Sequence, residues 1–216
     1  MIEVTYINHM GDDLSVVNAA RVSFGKKSDY MPRVHMGEPK VLQHKDYRLI
    51  QYLAKHKHIS PFGHAFASFH VKAPVFVARQ LVKHKFLRWN EISRRYVDVE
   101  PEFYVADEWR GRSADKKQGS EGTVESNLNV DYLNNKSLMA YEQLLNEGVC
   151  PEQARMVLPQ SMMTEWYWSG SLDALADMCN LRCKPDTQAE TREVADKISA
   201  EMAKLFPVSW EALRDE

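Results

Sequence analysis

In the first third of the chain, hydrophobic residues recur at every second position, as in a strand, then at every third or fourth position, as in a helix, and then again at every second position. Residues 2–7 alternate, and an aspartate pair at 12–13 is suited to cap the helix that follows. Residues 40–57 repeat apolar side chains at helical spacing, and residues 65–71 alternate apolar with polar side chains. The pattern therefore predicts a strand, a helix, a polar loop over residues 26–39, a second helix and a second strand.

The densest group of chemically active side chains lies in residues 74–96. Pro74 suits the first turn of a helix, because that position does not use the N–H that proline lacks. On this helix Gln80, Lys83 and His84 occupy positions i, i+3 and i+4, so an amide, an ammonium and an imidazole share one side. The predicted buried face of the same helix consists of Val75, Ala78, Leu81 and Val82.

The segment after Trp89 carries a second set of polar groups. If residues 91–95 are extended, Glu91, Ser93 and Arg95 point in the same direction. Cations bind phosphate, whereas amide, carboxylate and hydroxyl groups bind the polar edges of a ring. A nucleotide satisfies this description, and a solvated basic face beside a core helix is the structural alternative.

The second half of the chain predicts further strands and helices around one core. Strands are predicted at residues 97–105 and 162–168, with a polar loop between residues 107 and 127. Four helices are predicted: one ending before Gly148, a short one from Pro151, one capped by Ser171, and a last one with Thr187 and Glu190 as a capping box and Pro207 as its stop. These elements predict an α+β fold, a small mixed sheet flanked by helices, in a single domain over residues 1–216.

Composition narrows the class of partner. The net charge of −2 over 216 residues gives no overall basic field, so we expect no nucleic acid partner. The chain begins without a charged and apolar leader pattern and contains no run of about 18 apolar residues, so we expect a cytoplasmic protein with no membrane partner.

Cysteine and histidine spacing argues against metal and disulfide chemistry. Cys150, Cys179 and Cys183 lack the paired spacing of zinc or redox sites and are predicted to be free thiols. The histidines lack an H-E-x-x-H arrangement, so no metal site is predicted.

The central stretch resembles the signature of a known enzyme family. Lys83-His84-Lys85, then seven residues, then Ser93 and a trailing Arg95-Tyr96 resemble the Arg-His-Arg-x7-Ser signature of flavin-dependent thymidylate synthases, with lysines in place of both arginines. The resemblance extends from residue 19 through His58 to residue 104, and again over residues 148–182, which is most of the chain.

This resemblance implies a reaction and its reactants. The expected reaction is the reductive methylation of dUMP to dTMP, with 5,10-methylenetetrahydrofolate as the carbon donor and with FAD, reduced by NADPH, as the hydride source. None of the nine glycines builds a G-x-G-x-x-G loop, so FAD and NADPH are not expected on a Rossmann fold. The family also implies a thymidylate synthase-complementing type of fold and a homotetramer with shared active sites.

Site residues follow from the resemblance position by position. Arg182 and Ser93 are expected to be catalytic, and a fixed guanidinium at position 182 would polarise the uracil ring. The expected substrate-binding residues are Gln80, Lys83, Glu91, Ile92, Ser93, Arg94, Arg95, Arg155 and Arg182. The expected cofactor-binding residues are Ser23, His58, Ser60, Lys83, His84, Lys85 and Glu91.

Two departures from the family and two other functions complete the prediction. Ser171-Leu172-Asp173 replaces the Asn-x-Arg of many members, and Asp186-Thr187-Gln188 replaces their Ser-His-Ala-Gln run. The residues alone also allow a single-stranded nucleic-acid or nucleotide-binding protein without catalysis, with Trp89 and Tyr96 as stacking platforms, or a structural protein that retains the fold. Only the flavoenzyme would be yellow when pure.

Overall fold

The computed structural model describes residues 1–32, 35, 40–97, 99–115 and 119–215. Its strands form two sheets, one of four strands and one of two. The six strands are β1 (Glu3–Met10), β2 (Phe66–Pro74), β3 (Arg88–Glu91), β4 (Trp109–Arg112), β5 (Ser120–Val124) and β6 (Met163–Ser171).

The larger sheet has the order β1-β2-β6-β3, and β4 pairs with β5 in a separate hairpin. Each neighbouring pair of the larger sheet is antiparallel. The predicted α+β class is confirmed, but the sheet is antiparallel and not mixed. Long helical connections of the kind between β1 and β2 can join strands of either direction, so spacing along the sequence does not reveal the direction of pairing.

Helices cover the sheet and carry the site residues. They are α1 (Asp13–Arg21), α2 (His44–Lys55), α3 (Val75–Leu81), α4 (Val130–Asn146), α5 (Pro151–Ala154), α6 (Leu172–Arg182), α7 (Ala189–Leu205) and α8 (Pro207–Leu213). Short 3₁₀ turns lie at Val22–Phe24, Ser60–His64 and Arg155–Val157. Among the described residues, no helix is long and apolar enough to cross a membrane.

The core lies between the sheet and helices α6 and α7. On β2, Ala67, Phe69 and Val71 are buried while the intervening polar side chains are half-buried, as the alternation predicts. On β6, Trp166 and Trp168 are buried, and Trp89 of β3 stacks on Trp166 with ring centroids 4.3 Å apart. Helix α6 packs on β6, and α7 packs on β1, β2 and α6. This packing fixes β3 and the end of α6, which carry site residues.

Most predicted helix boundaries are confirmed, and local signals explain them. Asp12 caps α1 through a reciprocal capping box with Ser15. Helix α4 ends before Gly148, whose φ of +85° is accessible to glycine at little cost. Helix α3 begins after Pro74 and buries Val77, Ala78 and Leu81, whereas Val82 is exposed.

Several predicted elements are wrong within the described residues. Of the segment predicted as a strand over residues 97–105, residues 97 and 99–105 form no strand, and an isolated bridge joins Phe103 to Met162. The predicted loop 107–127 contains the β4–β5 hairpin, whose two strands bury no side chain. Because neither face is buried, these strands lack the alternation that identifies a half-buried strand. Residues 33–34 and 36–39 of the first loop, residue 98 and residues 116–118 lie outside the described residues.

The C-terminal region also differs from the prediction. Gln188 is the N-cap of α7 without a side-chain cap, and Thr187 donates to the Leu181 carbonyl, 3.2 Å away. Glu190 pairs with Arg110 in place of closing a capping box. Pro207 ends α7 and also begins α8, because proline is well suited to a first helical turn.

Candidate functional site

A cleft of about 900 Å³ lies between α3, the segment after β3 and the chain that follows α5. Four arginines line it, Arg79, Arg94, Arg95 and Arg155, and Glu91 is the one carboxylate among the described lining residues. We call this the arginine cleft. Within the described part of the chain, none of the four arginines pairs with a carboxylate. Uncompensated guanidinium groups around a concave surface favour an anionic ligand.

Glu91 is held at the edge of this cleft by two donors. The Thr164 hydroxyl donates to one carboxylate oxygen at 2.7 Å, and the Trp89 indole N–H donates to the other at 3.2 Å. The backbone N–H of Ile92 donates to the Glu165 carbonyl at 2.9 Å and continues the pairing with β6. The carboxylate is therefore fixed by the sheet before any ligand binds.

The residues after Glu91 form a turn at Arg94, Arg95 and Tyr96, so the predicted extended segment ends at Ser93. Arg94 is buried and donates to the Val99 carbonyl, while its Nε has no partner among the described residues. The backbone N–H of Arg95 donates to the Ser93 hydroxyl at 3.3 Å, and its guanidinium lies 5.0 Å from the Tyr96 ring centroid. The turn places Ser93 and Arg95 together on the arginine cleft.

A second cavity of about 600 Å³ contains two more of the predicted nucleotide residues, whereas the remaining one, Lys83, lines neither cavity. Gln80 and Arg182 line this Gln80 cavity, together with Lys184, Asp186, Thr187 and Gln188. The Arg182 Nε donates to His84 Nε2 at 3.1 Å, and its Nη2 lies 3.5 Å from the Gln80 backbone carbonyl. Two groups of one segment therefore orient the guanidinium.

His84 is neutral in this contact. Burial, followed by the charge of Arg182, lowers the pKa of His84 to about 4. A neutral imidazole can accept at Nε2 while carrying its proton on Nδ1. The histidine of the signature therefore acts as an acceptor that holds Arg182, and not as a third cation.

Helix α3 separates the two cavities. Val75, Ala78, Arg79 and Val82 line the arginine cleft, and Gln80 lines the other cavity. Successive residues of a helix differ by about 100° in direction, so Gln80 must face away from the stripe at i, i+3, i+4 and i+7. Within one chain the structure therefore does not bring Gln80 and Arg182 into one cavity with Glu91, Ser93 and Arg95.

The predicted cofactor residues lie outside both cavities, except Glu91. Lys83 and Lys85 are exposed on the turn that follows α3, on either side of His84. Ser23, His58 and Ser60 are exposed on the 3₁₀ turn after α1 and around the turn that follows α2. Their role in binding a cofactor stays a prediction.

Comparison with known proteins identifies the family. Residues 5–208 match the family model described as thymidylate synthase complementing protein. The chain belongs to this family.

Named relatives span most of the chain. A flavin-dependent thymidylate synthase of Thermus thermophilus is 37% identical over 215 residues, 98% of this chain and 75% of the relative. One of Dictyostelium discoideum is 36% identical over 210 residues, 94% of this chain and 65% of the relative.

Solved structures agree with the fold. The UMP/dUMP methylase PolB from Streptomyces cacaoi, bound with 5-Br dUMP, has a TM-score of 0.81 and 30% identity, covering 98% of this chain and 94% of that one. The same methylase bound with 5-Br UMP has a TM-score of 0.82.

The sequence prediction of the site did not include Arg79 and Thr164, two residues of the arginine cleft. Arg79 lines the arginine cleft, and its signal was its position at i+4 from Val75 and i−3 from Val82 on one helix stripe. Thr164 supports Glu91, and its signal was a hydroxyl on the same face of a predicted strand as Trp166 and Trp168. Buried hydroxyls usually have partners, which points to a nearby polar group.

Proposed function

We propose that this protein is a flavin-dependent thymidylate synthase that methylates dUMP to dTMP. The observation that carries the proposal is the arginine cleft, where Arg79, Arg94, Arg95 and Arg155 surround a space with no carboxylate partner among the described residues. A nucleoside monophosphate supplies the missing anion, and charge-assisted bonds to phosphate are among the stronger hydrogen bonds in proteins. The names of the relatives support the same substrate.

The chain's own residues would bind and orient this nucleotide. Arg95 and Arg155 would contact the phosphate and Ser93 would donate its hydroxyl to it, because all three line the cleft. Glu91, fixed by Thr164, would accept from the sugar or from the ring. Arg182 would donate to a carbonyl of the uracil ring and stabilise negative charge that develops there.

The exposed donors around the signature fit FAD. Lys83 and Lys85 offer ammonium groups, and Ser23, His58 and Ser60 offer hydroxyl and imidazole groups, a set suited to a pyrophosphate and to ring carbonyls. When bound and reduced by NADPH, the flavin supplies hydride, and methylenetetrahydrofolate supplies the carbon. Ser171-Leu172-Asp173 supplies no cation to this cofactor, so more of the phosphate binding falls to the two lysines.

We further propose a homotetramer in which two copies build each site. The support is the position of α3, which keeps Gln80 and Arg182 on one side and the arginine cleft on the other. Helix α4 exposes Tyr132, Leu133 and Met139, and an exposed apolar surface of this kind favours self-association. We also propose one domain over residues 1–216, because one core extends from Ile2 to Trp210. A cytoplasmic location stays a prediction.

One assay tests the proposed function. Purified protein should be yellow and should release tritium from ring-labelled dUMP when NADPH and methylenetetrahydrofolate are both present. Colourless protein with no release, but with steeply salt-dependent binding of any oligonucleotide, would favour the nucleic-acid alternative. Omission of NADPH or of the folate, each in turn, provides the control.

A further inference from the structure

A chain of four polar side chains connects the β4–β5 hairpin to Gln80. Arg110 on β4 donates through Nη2 to one carboxylate oxygen of Glu190. Gln188 donates through Nε2 to the other oxygen of Glu190 at 3.0 Å, and Gln80 donates through Nε2 to Oε1 of Gln188. We call these four residues the Glu190 relay. It ends at the Gln80 cavity, which both glutamines line.

Glu190 determines which group donates and which accepts in each hydrogen bond of this relay. The residue is 5% exposed. Burial is the largest single effect and raises its pKa, but the hydrogen bonds from Arg110, from its own backbone N–H and from Gln188, together with the charge of Arg110, outweigh burial and lower the pKa. An ionised carboxylate only accepts hydrogen bonds. Gln188 must therefore turn its NH₂ group towards Glu190 and its carbonyl oxygen towards Gln80.

The same donor and acceptor order fixes the orientation of the Gln80 amide. Since Gln188 presents an oxygen, Gln80 must present its NH₂ group to Gln188. Gln80 then has its own carbonyl oxygen and one remaining N–H available to a ligand. The orientation of an amide is normally ambiguous because its oxygen and nitrogen look alike, but here the carboxylate at the end of the relay decides it.

We propose that Glu190, acting through Gln188, sets the orientation of the Gln80 amide and so makes the Gln80 cavity selective for uracil over cytosine. An amide that offers an acceptor beside a donor matches the imide edge of uracil, where N3–H lies next to a carbonyl. Cytosine carries an unprotonated N3 acceptor at that position, which would face the Gln80 oxygen. The proposal rests on the proposed function and names Glu190 and Gln188 as positioning residues.

Arg182 supports this assignment. Its guanidinium lines the same cavity and is held by His84 and by the Gln80 backbone carbonyl. With the Gln80 amide beside it, the Arg182 guanidinium can donate to a uracil carbonyl that is adjacent to N3–H. A site with buried polar groups discriminates strongly, because the wrong ring leaves one of those groups without a partner.

Glu190→Gln is the decisive substitution, because it is nearly isosteric and reverses the relay. Arg110 still requires an acceptor, so the new amide at position 190 must turn its oxygen to Arg110 and its NH₂ group to Gln188. Gln188 and then Gln80 must rotate, which leaves Gln80 with donors only towards the ligand. We expect dUMP to bind about 10-fold more weakly and the preference for dUMP over dCMP to fall about 10-fold or more.

The double variant Glu190→Gln/Gln188→Glu should restore the original direction. A carboxylate at position 188 accepts from position 190 and from Gln80, so Gln80 again presents its oxygen to the ligand. The double variant keeps the wild-type net charge. The matched control is Glu193→Gln on the same helix, where an exposed carboxylate pairs with Lys197 at 2.7 Å, outside the relay.

The measurement is calorimetric titration of dUMP and of dCMP into each flavin-loaded protein, with thermal unfolding as the check that each variant is folded. A lost preference in Glu190→Gln, its recovery in the double variant and no change in Glu193→Gln would support the relay. The relay would be overturned by a folded Glu190→Gln variant that keeps the wild-type ratio of dUMP to dCMP affinity, or by a folded double variant that does not recover this ratio. In either case, turnover by the wild-type protein would still support the proposed function. Wild-type protein that binds neither nucleotide would overturn both.

Discussion

The Arg182 guanidinium is oriented by a side chain and a backbone carbonyl of the same segment. His84 accepts from its Nε at 3.1 Å, and the Gln80 carbonyl lies 3.5 Å from Nη2. The group remains half-buried, so its remaining N–H groups are available to a ligand in the Gln80 cavity. A donor fixed before the ligand arrives requires no reorganisation during the reaction.

Replacement of this guanidinium should slow turnover more than it weakens binding. For Arg182→Ala we expect kcat to fall about 100-fold or more, because a donor aimed at developing charge acts mainly in the transition state. Steady-state tritium release gives kcat and KM separately. The control is Arg192→Ala, a half-buried arginine outside both cavities that bonds the Pro185 carbonyl at 2.8 Å. A raised KM with unchanged kcat would assign Arg182 to binding alone.

His84 should make the stability of the fold sensitive to acid. Burial and Arg182 lower its pKa in the folded state from 6.5 to about 4, whereas the unfolded chain takes up the proton near 6.5. Between pH 6.5 and about 4 the unfolded state therefore binds more protons at this residue than the folded state does. The contribution of neutral His84 to the free energy of unfolding is complete above pH 6.5 and is lost as the pH falls towards about 4.

Urea unfolding above and within that window measures the effect. His84→Asn should reduce the loss of unfolding free energy on acidification, because the titrating group is absent. His44→Asn removes an exposed histidine at the start of α2 and should keep the wild-type loss. An identical acid dependence in wild-type protein and in His84→Asn would show that His84 titrates alike in both states.

At the scale of elements, β6 fixes the signature segment through packing as well as through strand pairing. Its partner β3 follows directly after Leu87, which is buried against β6. A Cβ atom added at Gly170 of β6 would overlap Cδ2 of Leu87 and lie 3.5 Å from its Cγ. The absence of a side chain at position 170 therefore admits Leu87 to the core and holds the turn that carries Lys85.

Gly170→Ala should destabilise the protein by about 1–3 kcal/mol, the usual cost of overpacking. Leu87→Ala alone should cost about 2–5 kcal/mol, as large-to-small core changes do. The double variant should cost less than the sum, because the new methyl group occupies space that Leu87 leaves. Denaturant midpoints at constant m measure these free energies. Gly63→Ala, with no atom within 4 Å of the added Cβ, is the control, and additive costs would contradict the contact.

The elements that the sequence predicted correctly are those with one buried face. The alternation in β2 and the spacing in α6 follow from burial, so the pattern was visible. The β4–β5 hairpin has no buried side chain and could not be found in this way. The capping pattern at Thr187 and Glu190 misled, because Glu190 pairs with Arg110, which is 80 residues away in sequence. Contacts between distant segments, such as Gln80 with Gln188, leave no local signal.

At the scale of the whole molecule, charge is concentrated and not spread. The net charge is −2, yet four arginines surround the arginine cleft. A local positive potential of this kind attracts a small anion without making the whole surface basic. The predicted nucleotide-binding residues line two cavities on different sides of α3, which supports the proposal that a second copy supplies one half of each site. Under this proposal the residues lie close together in the sequence, but the site that they build is divided between copies.

This division predicts complementation between inactive subunits. Arg95→Ala should disable the arginine cleft and Arg182→Ala the Gln80 cavity, and each homogeneous tetramer should be inactive. In mixed tetramers, the intact cleft of one copy can meet the intact cavity of another. Random pairing of the two subunit types then makes about one quarter of the sites complete.

Coexpression with two different tags and sequential purification provides the mixed tetramers for the tritium-release assay. The matched control combines Arg95→Ala with Arg155→Ala. Both changes lie in the arginine cleft, so every site in that mixture lacks either Arg95 or Arg155 and activity should not return. Recovery in the first mixture and not in the second would establish that cleft and cavity come from different copies. Two equally inactive mixtures would instead mean that one chain builds the whole site, and that α3 must move to join its two sides.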